Sequence, residues 1–485
     1  MGIVASQSLK NVASTYLGFI IGAINTLFLY TKFLSDEYYG MVGVMLSAAH
    51  VMMPLMAFGV HNTLVKFYSS FKTRVSLNSF LTLMVLLPML VIIPVSIIGY
   101  VFYDVIGNFL ASKNTLIKNY VWHTIVIAVA LAYFEVFFAW AKVQMKTVFG
   151  NFMKEVFHRV ASMVLLFGLY LEVLNVEQFM VGLVCMYLLR MLIMKMYAFS
   201  IRLPVITFKK IGNVSSILKY TSLILIAGSV ASILLDVDKV MLGKLLVNLN
   251  NVAYYNVAVY IATVIVVPQR SMHQILMPLS AKYLNEKDFD ALDALYKKSS
   301  LNLLIVSGFI FLLIVLNVKQ FYFLIDPQYS VGIYVVLLIS TAKLYDAMLG
   351  SNNAILFNSD YYRVILVLGV VLVVLTLVLN IVFIPRYGIN GAAIATFLAI
   401  VFYNSAKLFF VYKYFKIQPF TQQSLKVGVL LLACVVLFYF WDFPFTPIVS
   451  VILKSTLISV LYLFVVYRFR LSEDITYAMQ KLLKK

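Results

Sequence analysis

Charged side chains are scarce in this 485-residue chain, and several of them stand inside long apolar runs. Arg190 lies about midway along one run with no acid near it in sequence. That placement suits a phosphate ligand, or a side chain whose head reaches back toward water. Lys343 and Asp346 are one helical turn apart in another run, where they can pair with each other or face a cavity. Glu155 and Arg159 are spaced i,i+4, as are Lys154 and His158, which predicts a helix-local network from which Arg159 can reach a bound anion. Glu135 is placed to balance Arg159 or Arg190, or to take up a proton. Asp236 and Asp238, with Lys239 beside them, read as interfacial pairs or as a cation site. Arg270 and His273, one turn apart after Pro268, either guard the mouth of a cavity or snorkel to the interface. An ionised side chain at the centre of a bilayer costs ~2.5–3.5 kcal/mol or more, so each of these is a functional candidate. The chemistry they can do is binding and charge compensation. Arg190, Lys343, Arg159 and Arg270 are the substrate-binding candidates, and Glu135, Asp346, Asp236 and Asp238 the ion-coupling or charge-balancing ones. No catalytic constellation, metal-ligand set or cofactor motif accompanies them. Cys185 and Cys434 stand alone in apolar runs and read as small buried hydrophobes.

The elements that must position these groups follow from composition. The chain is 63% hydrophobic and 12% charged, with a mean hydropathy of +0.97, whereas soluble domains are about 45–50% apolar and about 25% charged. Its apolar runs are about 18 to 25 residues long, enough to cross a ~30 Å hydrocarbon core as helices. The alternating ~10-residue segments of a membrane barrel are absent. Fourteen spans are predicted, at 12–34, 41–60, 80–101, 121–141, 152–171, 179–200, 217–235, 253–276, 301–318, 331–357, 364–383, 392–412, 425–440 and 448–467. The first residues lack the basic region and cleavage site of a signal peptide, so the first span is expected to be retained.

Starting with the N-terminus inside, the short inner connections and the tail carry about 22 Lys and Arg against 7 outside, which predicts both termini in the cytoplasm. Much of the +19 net charge comes from this asymmetry. Because the charges flank spans, the partner they imply is anionic membrane lipid and not nucleic acid. No connection is long enough for a soluble domain. In 288–298, Phe289, Leu292 and Tyr296 share a helical face, and near the C-terminus Ile475, Met479 and Leu482 do the same, which predicts two surface helices lying on the membrane.

The two halves look related. Lys10-Asn11 opens the first span and Lys219-Tyr220 lies near the start of the seventh; Tyr38-Tyr39-Gly40 precedes the second and Tyr254-Tyr255-Asn256 the eighth. Two repeated halves around a cavity are a recurrent transporter plan. The stretch 379–396, with Leu379-Asn380, Ile384-Pro385, Tyr387-Gly388, Gly391-Ala392-Ala393 and Ala395-Thr396, resembles the signature between spans eleven and twelve of polysaccharide flippases. These form a family within the multidrug, oligosaccharidyl-lipid and polysaccharide exporter superfamily. Asp238-Lys239 with Leu242-Gly243, and Pro278 with Tyr283, resemble two further motifs of that family, and the likeness runs over nearly the whole chain.

The resemblance implies an all-α integral membrane protein of about fourteen transmembrane helices. Two six-helix lobes would form a V, at 1–204 and 217–415 with a cytoplasmic linker at 205–216, followed by two further helices and a tail at 416–485. It also implies a flippase, not an enzyme. Such a protein moves undecaprenyl-pyrophosphate-linked oligosaccharide units of O-antigen, capsule or exopolysaccharide across the bacterial inner membrane by alternating access. A polysaccharide polymerase and glycosyltransferases are its expected partners, and no cofactor is required. Family members that flip the peptidoglycan precursor commonly carry charges late in the first span and a basic one early in the eighth, where this chain has Asn25, Thr26 and Tyr260, a departure that argues against that branch. The alternatives are a cation-coupled drug antiporter of the same superfamily and, from another class, a membrane glycosyltransferase or polymerase. The antiporters usually have twelve spans and a deep acid, and the enzymes need a large loop or paired carboxylates.

Overall fold

In hydrocarbon every backbone N–H and C=O must be satisfied within its own segment, so long apolar runs fold as helices. The computed structural model describes residues 3–71, 73–110, 113–208 and 214–483; Lys72, Lys209, Lys210, Lys484 and Lys485, counted above among the inner charges, lie outside them. Among the described residues the regular structure is entirely helical. In chain order the first helices are α1 (Ile3–Ile24), α2 (Tyr30–Phe33), α3 (Asp36–Met56), α4 (Val60–Phe67), α5 (Arg74–Leu86), α6 (Met89–Val101) and α7 (Tyr103–Leu110). Next come α8 (Leu116–Asn119), α9 (Val121–Lys142), α10 (Val148–Phe152), α11 (His158–Tyr170), α12 (Val176–Ile201), α13 (Val214–Leu245) and α14 (Asn250–Thr263). The chain continues through α15 (Val267–Glu286), α16 (Phe289–Ile325), α17 (Ile333–Ala347), α18 (Asn352–Asn358) and α19 (Tyr362–Phe415). It closes with α20 (Gln422–Phe438), α21 (Pro447–Arg468) and α22 (Glu473–Leu483).

Among the described residues ten helical stretches are long and apolar enough to cross a membrane, fewer than the fourteen predicted spans, and one of them, Arg363–Phe415, contains two of those spans. That stretch is two helices meeting at Gly388, whose φ of 57° and ψ of −132° suit glycine alone. A Cβ there would touch nothing, so the backbone angle and not space selects the residue. Ala392, Ala393 and Ala395 then enter the next helix fully buried. The predicted tenth span is also divided, into α17 and α18.

By its contacts the chain forms two compact units, Met1–Asn256 and Val257–Lys485. In the first, α9 packs on α3, α4 and α12, and α13 packs on α3. Its core joins Phe134, Phe138 and Trp140 of α9 with Phe80 and Met84 of α5 and Met194 of α12. A capping box at Asn175 and Gln178 starts α12. The face of α12 carrying Val181, Cys185, Leu189, Leu192 and Met196 is exposed, as a lipid-facing stripe should be, so Cys185 is exposed and only Cys434 has the buried place expected of both cysteines.

In the second unit α16 is central, with α17, α20 and α21 packed on it, and Tyr462 donates to the Ile305 carbonyl at 3.0 Å. The predicted surface helix at 288–298 is instead the first part of α16. Leu292 and Tyr296 are buried against Ile355, Leu356 and Val411, so that part of its apolar face is covered by protein, while Phe289 stays exposed. The C-terminal α22 is amphipathic and docks by Asp474 to Lys298 (2.8 Å) and Asn302 (2.9 Å). These bonds, that to Lys298 first, hold the Asp474 carboxyl below its ordinary range. The contribution of these bonds is therefore fully present at neutral pH and is lost on acidification through that lowered value.

Candidate functional site

Two single-turn π-helices, Asn25–Leu29 after α1 and Met153–Phe157 before α11, sit in the first unit. Such turns often mark functional positions, because they re-aim side chains out of the helical register. The second turn carries Lys154 and Glu155 and leads into His158 and Arg159. The Asn25 amide donates to the Arg159 carbonyl at 2.7 Å, tying the two irregular segments together. Arg159 is paired with Glu155 at 3.2 Å, the predicted i,i+4 contact. Glu135, on α9, is held by Lys154 at 2.6 Å instead of by either arginine.

That leaves Arg190. It projects from α12, is 5% exposed, and lays its guanidinium 3.9 Å from the centre of the Phe134 ring and 5.9 Å from that of Tyr187. Among the described residues no carboxylate lies within ion-pair distance of it, and its buried Nε has no hydrogen-bond partner. Tyr187, Glu135, Glu155, Arg159 and His158 are among the ionisable groups close enough to act on it electrostatically. His158 stacks on Tyr187. The two local acids are each occupied by another cation, so the cluster is a buried basic site with an unused donor on Arg190. Arg presents planar, bidentate donors to phosphate oxygens, and stacking on an aromatic face holds the plane in place.

Asp236 accepts from Ser47 at 2.9 Å and pairs with Lys239 at 3.3 Å, while Asp238 is buried and accepts from Tyr255 at 2.7 Å. The two aspartates are thus engaged separately.

In the second unit Asp346, 31% exposed on α17, accepts from Gln269 of α15 at 3.3 Å and lies 3.9 Å from the ammonium of Lys407. Lys407 is on α19, is 1% exposed, donates to Asn353 at 2.8 Å and stands 4.3 Å from the Tyr403 ring centre. One turn back, Asn404 is fully buried with neither side-chain polar atom bonded. His273 is within electrostatic reach of both Asp346 and Lys407. Lys343 is half-buried on α17 and Arg270 is exposed on α15.

Lys407 was missed along the sequence, as was Lys454 of α21, which is 1% exposed and bonded to Asp442 at 3.2 Å. The signal was present: each is a lone cation within an apolar run, the same cue that singles out Arg190. Lys454, with Gln320 donating to the same Asp442 oxygen at 2.6 Å, ties the loop between α20 and α21 to α16.

Long apolar helices enclosing polar, charged interiors define a multi-pass α-helical membrane protein. No protein-family model and no curated protein sequence matches the chain. Among solved structures, it is similar to the lipid II flippase MurJ in an inward closed conformation, with 15% identity, a TM-score of 0.72, and coverage of 95% of this chain and 99% of that one. It is also similar to an inward-facing multidrug resistance MATE family transporter of the MOP superfamily, with 12% identity, a TM-score of 0.58, and coverage of 84% and 94%. A MOP superfamily transporter from Pyrococcus furiosus aligns with 11% identity, a TM-score of 0.51, and coverage of 85% and 95%. The chain therefore has the fold shared by these flippases and transporters.

Proposed function

We propose that this protein is a flippase for lipid-linked oligosaccharide units carried on undecaprenyl pyrophosphate, working by alternating access in the bacterial inner membrane. The lobes divide at the 205–216 linker, and the chain performs no catalysis. The observation that carries this reading is Arg190, a buried cation with no acid partner among the described residues and an unused donor. A pyrophosphate cannot cross hydrocarbon without such groups, since an unpaired buried charge is too costly. Arg159 and His158 stand on the same side of the charge balance, and Asn25 serves helix packing. A drug or cation antiporter of the same superfamily is the second reading, favoured by Asp346, which stays partly exposed and only loosely paired.

Transport of a fluorescent undecaprenyl-pyrophosphate oligosaccharide into proteoliposomes tests the first reading. A charge-assisted hydrogen bond is worth about 1.5–3 kcal/mol, so Arg190→Gln lowers transport by about ten- to a hundredfold and Arg190→Lys by less. Full transport by Arg190→Gln, together with cationic-dye export that depends on Asp346, would establish the antiporter instead.

A further inference from the structure

The first unit contains an apolar slot of about 460 Å³, within the ~300–1,000 Å³ range of small-molecule pockets. It lies between α5, α6, α9 and α12, and Trp140 forms part of its wall. The extended segment after α12 borders it, pinned there by Thr82, which donates to the Val205 carbonyl and accepts from the Thr207 N–H, both at 3.2 Å. The rim residues Leu192, Ile206 and Phe208 are exposed and apolar, so in a membrane the slot opens to hydrocarbon. Lys195 is the charged residue of its lining. Beside it Arg202 accepts the Trp140 N–H on its carbonyl, while its guanidinium is fixed by Tyr68 and Asn78 at 3.1 and 3.0 Å. Neither cation has a carboxylate within ion-pair distance among the described residues.

We propose that this slot holds one acyl chain of an anionic membrane phospholipid, with Lys195 and Arg202 meeting the headgroup phosphate. Apolar walls select a hydrocarbon chain but not its headgroup; the two unpaired cations supply the selection for negative charge. The slot shares no lining residue with the Arg190 cluster, so its failure would leave the transport reading standing.

Trp140 provides the readout. With Trp122→Phe and Trp441→Phe it is the single tryptophan of the chain's three. The protein is placed in phosphatidylcholine nanodiscs containing a minor fraction of phosphatidylglycerol or phosphatidylcholine brominated on its acyl chains. Quenching of Trp140 should favour the anionic lipid by about fivefold, as expected for one lysine at an anionic headgroup, and Lys195→Gln should abolish the preference. Val85→Phe, which fills the slot, should weaken quenching by both lipids while leaving the unfolding temperature near that of the parent. Equal quenching by the two lipids, or a preference that survives Lys195→Gln, overturns the proposal. Release of quenching by undecaprenyl phosphate at lower mole fraction than by unbrominated phosphatidylglycerol overturns it too, and assigns the slot to the tail of the transported lipid.

Discussion

A lysine 1% exposed inside an apolar helix is held there at a cost that its neighbours must offset. Lys407 has one short hydrogen bond, to Asn353, and a loose ion pair with Asp346, so removing either charge has unequal effects. Asp346→Asn leaves the ammonium with Asn353 and the Tyr403 ring and should lower stability by about 1 kcal/mol, less than for a fully buried pair because the carboxylate is partly exposed and 3.9 Å away. Lys407→Met removes the charge, leaves a half-exposed carboxylate and fills the same space; thermal unfolding should find it neutral or stabilised. Its transport should nevertheless fall, because a charge kept at such cost inside a span is kept for function. A Lys407→Met protein that is both destabilised and fully active would make the residue a packing strut. The position was legible in principle, since Lys407 stands within an apolar run, but it is five residues from the end of the predicted span and reads as a flanking charge. Which acid serves which base was not legible. The choice of Lys154 over Arg159 by Glu135 depends on how α9 meets the π-turn, a tertiary contact without a sequence spacing.

Within a helix, glycine can be required by space or not at all, and two positions separate these cases. Gly18 of α1 faces the π-turn at Met153–Phe157, where a Cβ would come within 2.4 Å of the Glu155 carbonyl oxygen, a backbone atom that cannot swing aside. Gly18→Ala should push α1 away, loosen the Asn25 to Arg159 bond and cost about 1–3 kcal/mol. Gly428 of α20 has open space around a Cβ, and Gly428→Ala should be neutral or stabilising by up to about 1 kcal/mol, since alanine is the better helix former. Unfolding curves of the two variants in one detergent decide the matter: equal shifts would mean that the close approach of α1 to the π-turn carries no energy. That the chain is built of long apolar helices was readable from the length of its runs, but the count of fourteen was not. The π-turns, the division of the tenth span and the covering of 288–298 were not, because each is set by what packs against the helix. The Leu292 and Tyr296 positions have the same periodicity whether lipid or protein covers them.

At the scale of the whole chain the charge pattern makes a statement about direction that packing alone does not. Lysines and arginines are retained on the cytoplasmic side because carrying them across the membrane is unfavourable, and the excess of about 22 over 7 is spread along both halves of the chain. The pattern therefore predicts that each half takes its orientation independently, and each can be tested by itself. In a background with Cys185→Ser and Cys434→Ala, the chain's two cysteines are gone and single cysteines report sidedness. Lys32 and Lys146 in the first unit, and Lys319 and Glu473 in the second, are all exposed, so a maleimide can reach cysteine at each. A membrane-impermeant maleimide added to intact cells should label Lys32→Cys and Lys319→Cys, and should label Lys146→Cys and Glu473→Cys only after permeabilisation. Labelling of Glu473→Cys from outside would place the C-terminus in the periplasm and reverse the second unit. Labelling of both members of either pair from one side would mean that the number of crossings between them is even, and the span count would fall with it.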